Sequence, residues 1–337
     1  MSTTRKDEHI KYATLHREVC DVFKDVHIIY DSLPELDFSK IDTTAVIFDR
    51  IINAPIIINA ITGGSENSKG INAALSFAAA QYSIPIAVGS QSIAVKDKSL
   101  RDSFTIIRKM NKNGIVLSNV GANVPFNVAK QAVEMLEANA LQLHLNVLQE
   151  LVMEEGDRDF SGIIDNIRNI YENVGIPVIV KEVGFGMTGY TAKRLKDIGI
   201  EVVDIGGFGG TNFARIENLR RSIEIHSQMQ SIGVPTAVSL YDVCKYKTGM
   251  KVICGGGIRN GLDITKALIM GADLVSIAYP FLKAFVHDGA NGVTKKIEEL
   301  IYEFKICMTA SGAGNISSLK QKKIIITGNT LSWINQM

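Results

Sequence analysis

The segment HLNVLQE (144–150) concentrates polar side chains within one short stretch. His144 and Asn146 are two residues apart, so on a strand they point to the same face. Gln149 and Glu150 follow in the next loop, and a single carboxylate beside neutral oxygen donors suits Mg²⁺ shared with substrate phosphates. Zinc would need three His, Cys or carboxylate ligands. The alternative makes Glu150 an acid at a helix N-terminus and His144 a hydrogen-bonded core residue, which is the favoured interpretation for His144 alone.

Lys181 interrupts the otherwise apolar segment PVIVKEVG (177–184). A lysine that faces inward must be paired or used, because an unpaired buried ammonium group is costly. It could form a Schiff base, act as a base or neutralise an anionic ring. A salt bridge with Glu182 or another carboxylate is the alternative, and the sequence alone does not separate these roles.

Two glycine clusters, GGFGGTN (206–212) and GGGIRNG (255–261), follow two consecutive predicted strands. Glycine lets backbone N–H groups approach an anion without a Cβ in the way, and a helix N-terminus after each loop adds a favourable dipole. Either cluster alone could simply form a tight turn between a strand and a helix. Two clusters at neighbouring strand ends favour a phosphate site, and the phosphate could belong to a cofactor or to the substrate.

The N-terminal segment RKDEH (5–9) adds further cations. Arg5 and His9 share one face of a predicted helix, with Lys6 adjacent to them. These groups could clamp a diphosphate. Taken by itself, the segment is more simply a solvated charged terminus.

Eight short apolar runs predict the scaffold that would bring these residues together. The runs are nearly all apolar rather than alternating, which is typical of strands covered on both faces of a parallel sheet. Amphipathic stretches such as 127–140, 190–199 and 263–272 lie between them. Strand and helix repeated eight times predict an α/β fold, a closed (β/α)8 TIM barrel with its active site where the strands end. The runs are 55–61, 85–90, 114–120, 141–147, 177–184, 202–207, 251–257 and 273–278.

One further apolar run, PTAVSL (235–240), would disturb the count of eight. We assign it to a loop entering a helix, because only about a dozen residues separate it from the run at 251–257, the minimum for a crossover. Residues 1–50 are predicted to form an N-terminal cap, and 295–337 a C-terminal helical extension with a less regular tail. No low-complexity linker separates these parts, so the sequence predicts a single domain over 1–337.

The composition excludes several classes of protein. The 337 residues include 36 Lys+Arg and 35 Asp+Glu, and the net charge of +1 argues against nucleic-acid binding by bulk electrostatics. With 46% apolar residues, wholesale disorder is also excluded. Four cysteines lie far apart and match no zinc pattern, and no apolar run approaches the roughly 20 residues that span a bilayer. We therefore expect a soluble, cytoplasmic protein that binds a small molecule rather than nucleic acid or a membrane.

Together, these motifs resemble those of the type 2 isopentenyl-diphosphate isomerases, which are FMN-dependent enzymes. The matching segments occur in order from residue 5 to beyond residue 280, so the resemblance covers nearly the whole chain. The segment at 255–273 is shared by many FMN barrels, whereas HLNVLQE, VKEVGFGM and GGTNF are much more specific to this family. The segments are RKDEH (5–9), AITGG (60–64), VGSQ (88–91), SNVGA (118–122), HLNVLQE (144–150), PVIVKEVGFGM (177–187), DIGGFGGTNFARIEN (204–218) and GGGIRNGLDITKALIMGAD (255–273).

The resemblance implies interconversion of isopentenyl and dimethylallyl diphosphate in isoprenoid biosynthesis, with no net redox change. It implies FMN that must be reduced by NADPH or an equivalent, together with Mg²⁺ and usually a homotetramer. Reduced flavin N5 would be the candidate acid and base, and Lys181 would stabilise the anionic reduced flavin.

The roles implied by the resemblance can be carried over residue by residue. The catalytic residues would be His144, Gln149 and Lys181, and Glu150 would bind Mg²⁺. The residues implied to bind FMN are Ala60, Ile61, Thr62, Gly63, Ser90, Asn119, Lys181, Thr211, Gly255, Gly256, Gly257, Ala278 and Tyr279. Those implied to bind substrate are Arg5, Lys6, His9, His144, Asn146 and Gln149.

The chain departs from the family pattern at two positions. Ser92 stands where many members have Arg after GSQ, so one diphosphate contact is missing or supplied elsewhere. Phe208 stands where many members have a basic residue within the glycine-rich loop. The nearest alternative is an FMN-dependent 2-hydroxy-acid oxidase, but those enzymes use a His and an Arg near the sixth strand end, where this chain has GGFGGTNF (206–213). That loop also lacks the cysteine of nucleotide-type dehydrogenases. A non-catalytic flavoprotein or phosphoprotein-sensing barrel is disfavoured because the polar residues of 144–150 occur together.

Overall fold

A computed structural model of the chain describes residues 8, 10–12, 20–221, 223, 225 and 227–337. Its strands are β1 (Val26–Ile28), β2 (Ala45–Ile47), β3 (Arg50–Ile52), β4 (Ile56–Ile58), β5 (Ile86–Ala87), β6 (Val116–Gly121), β7 (Ala140–Leu145), β8 (Val178–Glu182), β9 (Val202–Asp204), β10 (Lys251–Gly255), β11 (Leu274–Ile277) and β12 (Ile324–Ile326). Its α-helices are α1 (Glu66–Gln81), α2 (Ser92–Lys96), α3 (Asp102–Met110), α4 (Phe126–Leu136), α5 (Val147–Val152), α6 (Ile163–Asn173), α7 (Gly189–Asp197), α8 (Phe213–Arg220), α9 (Thr236–Cys244), α10 (Gly261–Ile269), α11 (Tyr279–Ala310), α12 (Ile316–Leu319) and α13 (Gly328–Ile334). Short 3₁₀ helices cover Phe38–Lys40, Lys98–Leu100 and Ser227–Ser231.

Eight of the described strands, β4 to β11, form one closed parallel barrel. Each strand pairs with the next along the chain, and β11 pairs back with β4. The eight strands coincide with the eight apolar runs, so the predicted TIM barrel is confirmed. Burial on both faces explains the apolar pattern, because side chains point alternately into the barrel and toward the surrounding helices.

The run at 235–240 begins a helix, as predicted, and does not form a ninth barrel strand. Thr236 is the first residue of α9, and Pro235 directly precedes it. At the start of a helix the missing N–H of proline costs no helical hydrogen bond. This helix fills the connection between β9 and β10, and the count of eight strand–helix units is preserved.

A hairpin formed by β2 and β3 closes the amino end of the barrel. Its Ile47 and Ile52 are buried in one apolar cluster with residues inside the barrel, among them Ile57, Leu117 and Ile179. The sequence analysis assigned this stretch to the cap without recognising the hairpin. Because this apolar plug fills the amino end, the open cavity of the barrel lies at the carboxyl end of its strands.

The N-terminal cap and the C-terminal extension are joined to each other. Strand β1 pairs antiparallel with β12, with Val26 opposite Ile326. In the same tail, Lys320 Nζ lies 2.6 Å from Asp273 Oδ1, which ties the extension to the start of β11. The tail is therefore more regular than the sequence predicted. Within the described residues, no helix combines the length and the apolar character that crossing a bilayer requires.

Candidate active site

A cavity of about 590 Å³ opens at the carboxyl end of the barrel, and residues from the ends of all eight barrel strands line it. Active sites of this fold lie at the same end. The predicted site residues that line the cavity are Ala60, Ile61, Thr62, Ser90, Asn119, His144, Asn146, Gln149, Glu150, Lys181, Thr211, Gly256, Gly257, Ala278 and Tyr279. Gly63 and Gly255 do not line it. Arg5, Lys6 and His9 lie outside the residues that the structure describes.

Gly63 and Gly255 lie behind the cavity wall, where they make room for other side chains. A Cβ at Gly63 would lie 2.1 Å from the Phe104 ring. A Cβ at Gly255 would lie 2.4 Å from Ser276 Oγ and 2.5 Å from Asp204 Oδ1. The structure therefore gives both glycines a packing reason that is independent of any bound cofactor.

The two glycine loops after β9 and β10 lie against each other at the cavity. A Cβ at Gly256 would lie 2.1 Å from the carbonyl oxygen of Gly207, and one at Gly210 would lie 2.6 Å from the amide of Gly257. Among the described residues, the amides of Gly256 and Gly257 donate to no protein acceptor. Free backbone N–H groups in a loop without side chains fit a phosphate group.

Thr62, in the loop that follows β4, presents a second group that lacks a partner. The residue is 2% exposed, and its Oγ1 is one of two buried side-chain polar atoms that form no hydrogen bond among the described residues. Leaving a buried hydroxyl unsatisfied is costly, so native sites usually supply a partner. A polar bound group in the adjoining cavity, such as a flavin, would satisfy it.

Lys181 is buried at the cavity wall on β8. Its Nζ donates a 2.7 Å hydrogen bond to the backbone carbonyl of Glu182. The Glu182 carboxylate instead accepts from the backbone amides of Gly184, Phe185 and Gly186. Lys181 therefore forms no salt bridge with the Glu182 side chain, and a hydrogen bond to the main chain takes its place. Burial raises the pKa of Glu182 to about 7, against the lowering effect of these amides and of Lys181.

A row of polar side chains crosses the barrel interior beneath the cavity. His144 Nδ1 lies 2.8 Å from Asn119 Oδ1, and Asn119 Nδ2 donates to Gln142 Oε1 at 2.9 Å. Gln142 Nε2 in turn donates to Asn59 Oδ1 at 3.3 Å. The sequence analysis missed Gln142 and Asn59, although each is a polar residue inside an otherwise apolar run. The row fixes the orientation of His144 relative to the cavity.

The loop after β7 continues directly into α5, which carries Gln149 and Glu150. Asn146 Nδ2 donates to Glu150 Oε1 at 2.8 Å, and the amide of Asp157 donates to Glu150 Oε2 at 3.0 Å. Gln149 Nε2 donates to Glu217 Oε1 at 2.8 Å, which fixes the direction of its amide. Glu217 lies on α8 and was missed from the sequence. Glu150 also occupies the first turn of a helix, so the alternative interpretation of its position is compatible with the structure.

The surroundings of Glu150 fit Mg²⁺ better than zinc. Among the described residues, no group of three His, Cys, Asp or Glu side chains could hold a metal ion. Each Glu150 carboxylate oxygen accepts one hydrogen bond, which leaves a lone pair for a ligand. A single carboxylate at a cavity wall suits Mg²⁺ that takes its remaining ligands from water and substrate phosphates.

Two of the cationic side chains at the cavity, Arg259 and Lys96, differ in how their charge is balanced. Arg259 is paired with Asp263 at 3.0 Å and with Asp21 at 2.9 Å. Lys96 is exposed and forms no ion pair with a carboxylate of the described residues, although it lines the cavity. It lies four residues after Ser92 on α2, so the two share one helical face, and both line the cavity. Lys96 is therefore available to an anion on the side where Ser92 departs from the family pattern.

Comparisons with known proteins agree with this geometry. A sequence model of the FMN-dependent dehydrogenase family matches residues 96–326. The isopentenyl-diphosphate delta-isomerase of Bacillus pumilus is 46% identical over 334 residues, covering 98% of this chain and 94% of that protein. The isopentenyl-diphosphate delta-isomerase of Listeria monocytogenes is 42% identical over 333 residues, covering 98% and 93%.

Two solved structures share the fold at low sequence identity. A mandelate oxidase mutant with a monooxide FMN adduct superposes with a TM-score of 0.67 at 16% identity, covering 95% of this chain and 92% of that chain. A lactate oxidase of Pediococcus acidilactici gives a TM-score of 0.69 at 16% identity, covering 94% and 87%. At this identity the likeness shows the barrel fold alone.

Proposed function

Because the chain belongs to the FMN-dependent type 2 isopentenyl-diphosphate delta-isomerases and is therefore an isomerase, we propose that it interconverts isopentenyl and dimethylallyl diphosphate with reduced FMN and Mg²⁺. One observation carries the proposal. Buried Lys181 and two facing glycine loops share a single cavity with His144, Gln149 and Glu150. A flavin site and a site for a Mg²⁺-bound diphosphate therefore adjoin each other.

The groups without partners in the cavity match those that FMN would satisfy. Gly256 and Gly257 would bind its phosphate, and the Thr62 hydroxyl would bind a polar atom of the ring system. FMN, reduced by NADPH, would supply an electron-rich ring able to exchange a proton with an alkene and to stabilise developing positive charge. The remaining residues proposed to hold it are Ala60, Ile61, Ser90, Asn119, Lys181, Thr211, Ala278 and Tyr279.

On the substrate side, we assign the diphosphate to Glu150 through Mg²⁺ and to the N-terminal cations Arg5 and Lys6, with His9 beside them. Asn146 holds Glu150 in place through its 2.8 Å hydrogen bond, and Gln149 presents an amide oriented by Glu217. An alkene is a weak base, so the reacting carbons must be held close to the proton donor, with water excluded. Gln149 and His144 would orient the five-carbon chain and assist the proton transfer.

The reaction is tested by isotope incorporation. FMN-loaded protein, reduced with NADPH and supplied with Mg²⁺, should convert isopentenyl diphosphate in deuterated buffer into labelled dimethylallyl diphosphate, followed by mass spectrometry. A protein that incorporates no label would refute the isomerase proposal. Bleaching of oxidised FMN by lactate or mandelate without oxygen would instead identify a 2-hydroxy-acid oxidase.

Replacing Lys96 with alanine is expected to raise the KM for isopentenyl diphosphate about fivefold, with kcat nearly unchanged. An exposed lysine that meets an anion contributes only about 1 kcal/mol. Lys96→Arg should retain the low KM, because the positive charge persists. The control is Lys98→Ala, a nearby exposed lysine that does not line the cavity. An equal rise of KM in both alanine variants would contradict a specific contact.

We further propose a single domain, a homotetramer and a cytoplasmic location. The pairing of β1 with β12 joins the N-terminal cap to the C-terminal extension on one barrel, and one cooperative unfolding transition is expected.

Tyr30 and Leu33 are 72% and 76% exposed, as apolar side chains at a subunit contact would be in the isolated chain. Light scattering of the purified protein gives the oligomeric state. The four cysteines form no disulfide, which suits a reducing compartment.

A further inference from the structure

Asp204 is a fully buried carboxylate for which neither the sequence analysis nor the proposed reaction gives a role. It ends β9, and its residue is 0% exposed. Ser276 Oγ and Asn59 Nδ2 donate to its Oδ2 at 2.7 and 3.1 Å, and the amide of Gly206 donates to Oδ1 at 3.2 Å. Burial raises the pKa of Asp204, and these three donors together with Lys181 oppose that rise by favouring the ionised form.

The strand register places Asp204 directly beside Lys181. The two residues are partners in the parallel pairing of β8 and β9. The other carboxylate near Lys181 belongs to Glu182, and three loop amides already bind it. Burial lowers the pKa of Lys181, whereas Asp204 and then Glu182 oppose that lowering. Asp204 is thus the main counter-charge for a buried ammonium that lines the cavity.

The position of Gly255 shows that the barrel makes room for this carboxylate. A Cβ at Gly255 would lie 2.5 Å from Asp204 Oδ1 and 2.4 Å from Ser276 Oγ. A larger residue there would displace the carboxylate or its donor. Asp204 itself does not line the cavity, whereas Lys181 does. Asp204 neighbours three residues that line the cavity, Lys181, Ser276 and Asn59, and Lys181 is the one of these three that can carry a charge.

We propose that Asp204 is a positioning residue for the flavin site: its buried negative charge keeps Lys181 an ammonium ion, which in turn favours reduced, anionic FMN. The inference rests on the proposed location of FMN beside Lys181. Separated from its counter-charge, a fully buried lysine would lose its proton. The flavin would then lose the positive charge that favours its reduced form.

The reduction potential of the FMN-loaded Asp204→Asn protein tests this proposal directly. The potential shifts in opposite directions depending on whether Lys181 loses or keeps its proton. If Asp204 maintains the charge on Lys181, asparagine removes the nearer positive charge, and the potential becomes more negative. We expect about tenfold weaker preference for reduced over oxidised FMN, which is about 30 mV for a two-electron couple. If Lys181 stayed charged without Asp204, the site would gain net positive charge and the potential would rise. An unchanged or more positive potential overturns the proposal.

Ser276→Ala is the matched control, since it disturbs the same packing but leaves the carboxylate in place. Its preference for reduced FMN should change by less than about threefold, because losing one of three hydrogen bonds to the carboxylate has a smaller effect than losing the charge itself. A shift as large as that of Asp204→Asn would mean that packing rather than charge is responsible, and would overturn the proposal.

A double-mutant cycle with Lys181→Met separates coupling through Lys181 from a merely structural role. Once Lys181 is replaced and the protein is reconstituted at saturating FMN, adding Asp204→Asn should leave the potential of the bound flavin unchanged. If Asp204→Asn alone fails to fold, the added Lys181→Met should restore folded protein, because it removes the buried amine that has lost its counter-charge. A further shift in the double variant, or failure to fold with and without Lys181, would refute the coupling. The potential needs no isopentenyl diphosphate, so an inactive wild-type enzyme would refute the isomerase proposal without affecting this one.

Discussion

Replacing Lys181 with alanine is expected to deplete the purified protein of FMN and to slow isomerisation about 100-fold or more. Removing one preorganised charged donor from a site that excludes water commonly has an effect of this size. Lys181 is 6% exposed, and its hydrogen bond to the Glu182 carbonyl holds Nζ in place beside the cavity. Alanine provides neither the charge nor a donor. Flavin absorbance measures the FMN content, isomerisation per bound FMN measures the rate, and the reduction potential reports the loss of the positive charge beside the flavin.

Lys193→Ala is the control for this prediction. Lys193 is exposed on α7, its Nζ pairs with Asp197 at 3.0 Å, and neither residue lines the cavity. We expect less than about a twofold change in its flavin content and rate, because surface pairs contribute little. Lys181→Ala protein with wild-type flavin content and potential would show that Lys181 has no role at the flavin.

Replacing Glu150 with glutamine is expected to reduce turnover at limiting Mg²⁺ about 100-fold, with FMN affinity changed less than about twofold. Loss of a group that binds or orients a metal ion commonly weakens the metal site by one to two orders of magnitude. Glutamine would also place an amide donor against Asn146 Nδ2 or the amide of Asp157, both of which donate to the carboxylate. Rates across a Mg²⁺ titration and FMN fluorescence quenching measure the two sites independently.

Glu172→Gln is the matched control, because Glu172 is exposed on α6 and does not line the cavity. Its Mg²⁺ dependence should equal that of the wild type. If Glu150→Gln lost FMN and Mg²⁺-dependent turnover in equal measure, Glu150 would support the whole cavity rather than a metal ion. Recovery of the Glu150→Gln rate at high Mg²⁺ would agree with weakened metal binding.

The comparison with the oxidases illustrates that the barrel fold by itself does not determine which reaction is catalysed. The mandelate and lactate oxidases share the fold at 16% identity. Function resides in the side chains at the strand ends, and these differ between families on one scaffold. The polar residues that follow β7 in this chain, rather than the barrel, therefore carry the proposal of an isomerase.

The sequence was sufficient for the barrel and for most of the cavity wall. Strands of a parallel barrel are buried on both faces, so each appears as a continuous apolar run, and all eight were identified. Because such strands run in the same direction, the polar residues that follow them meet at one end of the barrel. This grouping can be inferred from the sequence without knowing how the side chains pack. His144, Lys181 and Gly256 were grouped by this reasoning, and all three line one cavity.

Only the tertiary structure decided which residues contact each other across the barrel. The β2–β3 hairpin and the pairing of β1 with β12 join segments whose local sequence patterns do not indicate which strand they pair with. Gly63 and Gly255 belong to segments that resemble the family's FMN-binding motifs. The structure shows instead that they make room for the side chains of Phe104 and Asp204. Asp204 itself lies inside the apolar run 202–207, and only the strand register places it beside Lys181. A local pattern records which face of an element is buried, whereas contacts between distant segments depend on the closure of the whole barrel.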